Sequence, residues 1–319
     1  MPMKRLTFAA VLIAAFAASL GVLYTQHGLY GFNVLLRRGG SFWIPVTADD
    51  PRLSDAMKQA LSTDPPTATA GPFAWKEVGP GFEVAELPVM ANGAEIDRIL
   101  LSRIDPARYR FIVRNAPAGS TDLKGWMREL GAAFVINGSY FGKRGTPDTP
   151  FLSDGKMLGP VDYRATHGAF IAADTTTAVY DLTANDWKTV FSGAHDALVS
   201  YPLLLAADGT TRPALSSRWL ANRSFVGQDH AGLIVLGTTT DAFFPLDRLA
   251  KFLRDAPLDL ATVLNLDGGP VACQGVAVGS YRRDFCGKWE LEDNDGKLSL
   301  LTWNWGSWSL PVVLAAIPR

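Results

Sequence analysis

Cysteine is nearly missing from this chain: Cys273 and Cys286 are the only two among 319 residues. Two thiols are too few for a cysteine-built zinc site, and their spacing fits no zinc pattern. An even pair suits an oxidising compartment, where a disulfide closing so short a loop is worth about 3 kcal/mol. Histidine is almost as scarce. His27, His167, His195 and His230 are scattered without an HExxH-like spacing, which argues against a His-based metal site. Net charge is lacking too: 30 Lys and Arg against 31 Asp and Glu leave −1, and no basic run is longer than a pair such as Arg37-Arg38. That balance gives no electrostatic case for nucleic acid. No internal repeat or low-complexity tract stands out. What remains, 48% hydrophobic and 19% charged, is a globular composition with enough chain for one large core or two smaller ones.

The one long apolar run is at the N-terminus. Lys4 and Arg5 precede LTFAAVLIAAFAASLGVLY (6–24), which carries no charge. A positive segment before such a run is a secretory signal or a signal anchor. Ala15, Ala17 and Ala18 offer a cleavage site, whereas continuation through Leu20, Val22, Leu23 and Tyr24 reaches the roughly 20 residues that span a bilayer. The two readings stand level. Both place the body of the chain outside the cytoplasm, in the periplasm or cell envelope, with the membrane as a partner if the helix is uncleaved. Residues 25–74 then read as a juxtamembrane segment and linker. PRLSDAMKQAL (51–61) is a short helix candidate with Pro51 near N1 and Asp50 as cap, and STDPPTATAGP (62–72) has a linker's composition.

The main domain is expected over 75–319. Strand signals occur at 83–89, 97–104 and 108–114, punctuated by Pro88, Asn92-Gly93 and Asp105-Pro106. Leu123, Trp126, Met127 and Leu130 share one face of a helix over 121–130, capped by Ser120 or Thr121 and ended by Gly131. A buried strand at 132–136 completes a β–α–β rhythm. Further strands are expected at 167–173, 197–207, 231–239 and 310–317. A helix over 245–255 leads into the strand ending at Asp267. The class is α+β: a single domain with a central mixed sheet and flanking helices, preceded by the N-terminal apolar helix. Trp303, Trp305 and Trp308 are spaced near two, as core and surface positions alternate on a strand.

Three stretches carry chemistry. In LATVLNLDGGPVACQG (260–275) a buried strand ends in Asp267, Gly268 and Gly269, which holds a carboxylate on a rigid element beside a concavity of N–H groups. Taken alone, this is also what an ordinary Asp-Gly turn looks like. In AAFVINGSYFGKRGTP (132–147) a second strand ends in Asn137-Gly138, followed by Ser139, Tyr140 and Phe141. Between them, Asn222, Arg223 and Ser224 lead into a strand, and an arginine there suits bidentate contact with phosphate, though a lone arginine is more often a surface ion pair.

In this order, NGSYF, NRSFVG and NLDGGP, with WKEVGPGFEVAEL, SRIDPARYRF and LPVVLAAIPR around them, the sequence resembles the phosphodiester glycosidase family over roughly 75–319. That family includes the enzyme that uncovers mannose-6-phosphate by removing N-acetylglucosamine, and many bacterial envelope proteins. Its N-G-G-[YF]-F motif falls on Asn137 through Phe141, with Ser139 where glycine is usual. Its R-[TS] falls on Arg223-Ser224 and its N-L-D-G-G on Asn265 through Gly269. Pro270, Val271 and Ala272 follow where the family has Gly, Ser or Thr, and proline has no N–H to give to an anion. The resemblance implies hydrolysis of a sugar-1-phosphodiester at the glycosidic C–O bond, with a sugar-phosphate or glycan substrate and no cofactor. It implies Asp267 near the anomeric carbon as nucleophile, base or oxocarbenium stabiliser. Arg223 and the Gly268 and Gly269 amides would neutralise the departing phosphate. Asn137, Tyr140 and Asn265 would position sugar or water, with Gly138, Ser139 and Ser224 lining the cleft. A partner carboxylate would be Asp148, Asp229 or another residue. The rival reading is a non-catalytic protein that binds or helps assemble a glycopolymer through the same cleft. A metal-dependent nuclease or phosphatase would need a carboxylate and histidine cluster that the sequence does not show.

Overall fold

The computed structural model describes residues 8, 10–25, 43–116, 121–142, 144–212, 218–302 and 308–319. Residues 10–25 are helical, with Val11, Leu12, Ile13 and Phe16 exposed. Among the described residues no helix is long and apolar enough to cross a membrane. The chain continues with β1 (Ile44–Val46), α1 (Asp55–Leu61), β2 (Thr69–Ala70), β3 (Lys76–Gly79), β4 (Phe82–Ala91), β5 (Ala94–Ile104) and β6 (Tyr109–Asn115). Next are α2 (Leu123–Leu130), β7 (Phe134–Asn137), β8 (Phe151–Ser153), β9 (Lys156–Met157), β10 (Gly168–Ala172) and β11 (Thr177–Asp181). Then come α3 (Trp187–Phe191), β12 (Asp196–Ser200), β13 (Leu203–Leu205), β14 (Leu220–Ala221), β15 (Ser224–Asp229) and β16 (Ile234–Thr239). The last third holds α4 (Leu246–Asp255), β17 (Leu260–Asn265), a 3₁₀ turn (Gly269–Val271), β18 (Cys273–Val278), β19 (Tyr281–Cys286), β20 (Trp289–Asn294), β21 (Lys297–Thr302) and β22 (Val312–Pro318).

Local chemistry explains the main boundaries. Asn92 and Gly93 both take positive φ, the backbone a two-residue hairpin turn needs between β4 and β5. Asp295 and Gly296 do the same between β20 and β21. The α2 cap is Asp122, whose Oδ1 accepts from the Gly125 amide at 2.8 Å, rather than Thr121; Ser120 lies outside the described residues. Helix α1 starts later than its pattern suggested. Ser54 caps it through the Met57 amide, while Asp50 is taken by Arg52 in the preceding turn. The stretch 197–207 is two strands, because Pro202, reached through a cis bond from Tyr201, parts β12 from β13.

The strands form four sheets: β13-β17-β15-β16-β5-β4-β2 with β3 beside β4, β19-β18-β7-β22-β6, β11-β10-β12-β8-β9 and β1-β21-β20-β14. Every neighbouring pair in them is antiparallel, so the single mixed sheet expected from sequence is not what forms. The reason is an interposed strand. β6 and β7, joined through α2, do run in the same direction, but β22 lies between them. Likewise β15 separates β16 from β17. Phe82, Phe111, Phe134, Phe170, Leu236, Leu264 and Leu314 pack one core between sheets, and Met57, Leu101, Phe243, Leu249 and Val263 another beneath α1 and α4. Residues 44–61, read from sequence as lying ahead of the domain, pack on it: β1 pairs with β21 and α1 buries Ala56, Met57, Ala60 and Leu61. Trp308 is buried beside Trp126 and Leu310, while Trp303 and Trp305 fall outside the described residues.

Candidate functional site

Three strand ends converge. β15 and β17 pair with Phe225 opposite Asn265, so the Leu266 amide donates to the Ser224 carbonyl at 2.9 Å, and Arg223 lies beside the chain leaving β17. The end of β7 approaches from the other side. The Asp267 amide donates to the Gly138 carbonyl at 3.0 Å, and Asn137 Nδ2 donates to the Asp267 carbonyl at 2.7 Å. Arg223 Nη1 lies close to Gly268, 3.6 Å from where a Cβ on that glycine would stand. Asn137, Arg223 and Asp267, far apart in sequence, thus form one cluster.

Several of the side chains here are held by bonds to neighbouring strands. Asn137 is a brace: both ends of its amide are engaged, Oδ1 by the Cys273 amide. Ser139 Oγ accepts from Thr149 Oγ1 and Ser224 Oγ meets Thr238 Oγ1, each at 3.3 Å in buried surroundings. These bonds tie Asn137, Ser139 and Ser224 to the surrounding framework. The glycines act through their missing side chains. A Cβ on Gly138 would lie 2.4 Å from Val312 Cγ1, one on Gly268 would lie 2.9 Å from the Asn222 carbonyl oxygen, and one on Gly269, at φ +71, would lie 2.5 Å from Glu290 Oε2. The amides expected to hold phosphate are occupied: Gly268 donates to Asp267 Oδ1 and Gly269 to the Asn222 carbonyl, both at 2.8 Å. Cys273 and Cys286 lie opposite each other in the β18–β19 pair and form a disulfide.

Tyr140, Asn265, Arg223 and Asp267 lie together at this junction. Asn265 Nδ2 donates to Tyr140 Oη at 2.8 Å and to the Tyr201 carbonyl at 3.0 Å, while its buried Oδ1 has no hydrogen-bond partner among the described residues. The Tyr140 and Tyr201 rings stack at 4.2 Å, with His167 tilted against Tyr201 at 5.6 Å. Arg223 donates from Nε to the Phe244 carbonyl at 3.0 Å and from Nη2 to the Trp219 carbonyl at 2.5 Å, which fixes its plane. Burial lowers its pKa, opposed by the negative groups around it, and an arginine there remains a cation. Asp267 is pushed up to about 8, first by burial, then by the like charge of Glu290; the Gly268 amide and Arg223 pull the other way, and Asp148 adds to the rise. Burial also raises Tyr140 far above the usual phenol range, so its hydroxyl stays neutral.

Of the two candidate partner carboxylates, Asp148 borders the site and Asp229 does not. Asp229 sits at the other end of β15 from Arg223, with Oδ1 taking the Leu233 amide at 2.8 Å to close the β15–β16 turn. Glu290 and Tyr201 are site residues that sequence reasoning missed. Tyr201 is embedded in an apolar run, and Glu290 stands in WELEDN, which reads as an ordinary charged strand. Among the described residues no three His, Cys, Asp or Glu gather as a metal would need.

Residues 130–279 match the family model described as phosphodiester glycosidase. The fold is similar to the catalytic domain of zebrafish N-acetylglucosamine-1-phosphodiester alpha-N-acetylglucosaminidase, auto-inhibited by pro-peptide. The TM-score is 0.50 at 16% identity, over 89% of this chain and 91% of that one. A hypothetical protein from Synechocystis is similar at TM-score 0.50 and 14% identity, over 78% of this chain and 64% of the other. No curated protein matches.

Proposed function

Residues 130–279 match the phosphodiester glycosidase family model, and from that match and the site's geometry we propose that the chain hydrolyses the glycosidic C–O bond of a sugar-1-phosphodiester, an N-acetylhexosamine being one candidate sugar. The observation that carries the reading is the meeting of Asp267, Arg223 and Tyr140 in one cluster. A phosphate monoester leaves more readily than an alkoxide, so the site's main task is to neutralise charge as the bond breaks. Arg223, a buried cation with its plane fixed by two carbonyls, suits that task. Asp267 retains its proton through neutral pH, so its part is that of an acid delivering a proton to the departing phosphate oxygen. Gly268 occupies Oδ1, which assigns the transferable proton to Oδ2. Tyr140 accepts from Asn265, so its own hydrogen is directed elsewhere and serves as a neutral donor to sugar or phosphate.

Export to the periplasm or cell envelope, anchored or released, is part of the proposal. The Lys4-Arg5 flank of the apolar run and the Cys273–Cys286 bridge support it.

The test uses UDP-N-acetylglucosamine and related sugar-1-phosphodiesters. Wild-type protein releases free sugar, and Asp267→Asn and Arg223→Ala each lower kcat/KM at least about 100-fold. Glycan binding with no turnover would instead make the protein a binding module.

A further inference from the structure

A glycosidase centre needs two carboxyl groups, and only Asp267 was visible as a motif. The structure brings another carboxylate to the same turn. Glu290 lies on β20 opposite Ala221 of β14, the strand that leads into Arg223. Its position is fixed from several directions. Trp219 Nε1 donates to Oε1 at 3.0 Å. Asn222 Oδ1 accepts from the Lys288 and Trp289 amides at 2.8 and 3.0 Å, which sets the entry into β20. The Cys273–Cys286 bridge ties the preceding residues to the strand that follows Asp267. Gly287 and Gly269 have no side chain where the two segments meet: a Cβ on Gly287 would lie 2.5 Å from the Gly269 carbonyl oxygen, and one on Gly269 would lie 2.5 Å from Glu290 Oε2.

We propose that Glu290 is the second catalytic carboxylate, the base that takes a proton from the water attacking the anomeric carbon. This rests on the glycosidase reading above. Glu290 abuts Gly269, two residues past Asp267, and Gly268 between them is extended. The extended Gly268 sets the Cα of Gly269 roughly 7 Å from that of Asp267 and so brings Glu290 to the turn that follows the acid; a base acting on water beside such an acid is the inverting arrangement. In the reaction the water oxygen bonds to C1 and its proton goes to Glu290. The C1–O bond breaks, its electron pair stays on the phosphate oxygen, and that oxygen takes the Asp267 proton. The two carboxyls end with protonation exchanged, and solvent restores them. The sugar leaves with inverted anomeric configuration.

The experiment compares wild type, Glu290→Gln and Glu290→Asp, each shown to be folded by its thermal melt. In Glu290→Gln, kcat falls by about 10²–10⁴-fold with KM within about threefold, and wild-type product is the inverted anomer by proton NMR of fresh reaction mixtures. A second readout needs no substrate. The carboxyl carbon of Asp267, faced by Glu290, Arg223, Asp148, Tyr140 and Tyr201, titrates near 8 in wild type. It titrates lower in Glu290→Gln but stays high in Glu290→Asp. Turnover undiminished in Glu290→Gln, retention of configuration, or an Asp267 titration indifferent to residue 290 would overturn the assignment. A wild type that hydrolyses none of the substrates would fail earlier, at the glycosidase reading itself.

Discussion

Asp267 keeps its proton because burial and the Glu290 charge outweigh the Gly268 amide and Arg223. Its pKa rises from 3.8 to about 8 on folding, so between those values the native state binds a proton that the unfolded chain has released. Folding stability from this group is therefore full below about pH 4 and declines until pH passes about 8. Asparagine never acquires the charge. Thermal melts should show Asp267→Asn more stable than wild type at pH 9, with the difference shrinking toward pH 4; a pH-independent difference would mean that Asp267 is ionised throughout. Wild-type kcat/KM should fall above pH 8 as the acid is lost. Asp267, Arg223 and Tyr140 were legible in the sequence because each belongs to a short local motif. The bonds that Asn137, Ser139 and Ser224 make were not, because their partners, the Cys273 amide, Thr149 and Thr238, are set by tertiary approach.

At the level of elements, the site is a junction of strand ends held at close range. β7 and β22 approach so tightly at Gly138 that a methyl group meets both the side chain and backbone of Val312. Gly138→Ala should lower stability by about 1–3 kcal/mol in urea denaturation, with loss of activity from displacement of Asp267; a neutral substitution would show that the junction yields. The disulfide belongs to the same junction. Cys273→Ala/Cys286→Ala should reduce kcat as well as the melting temperature, since residues 286–290 then lose one of their ties to the turn after Asp267. Helices α2 and α4 were readable from their apolar periodicity. β14 and β20 were not: one is two residues long, and the other is WELEDN, acidic but for Trp289, Asn294 and a single fully buried leucine. Glu290 was hidden for that reason.

On the scale of the whole molecule, α+β character follows from composition and periodicity, but neither says which strands become neighbours. β22, at the end of the chain, inserts between β6 and β7, and this converts an expected parallel crossover into an antiparallel sheet. Local pattern offered a helix within 51–61 but not its packing: that short helix shares a core with α4. Met57 is fully buried there, and Met57→Ala should lower stability by about 2–5 kcal/mol by chemical denaturation, where a linker residue would show no change. The defining feature of the proposed reaction is which bond is broken. Hydrolysis of a sugar-1-phosphodiester in ¹⁸O-labelled water, with products read by mass spectrometry, decides it. Attack at the anomeric carbon puts the label in the free sugar and none in the phosphate, whereas label in the phosphate would mean attack at phosphorus and contradict the glycosidase assignment.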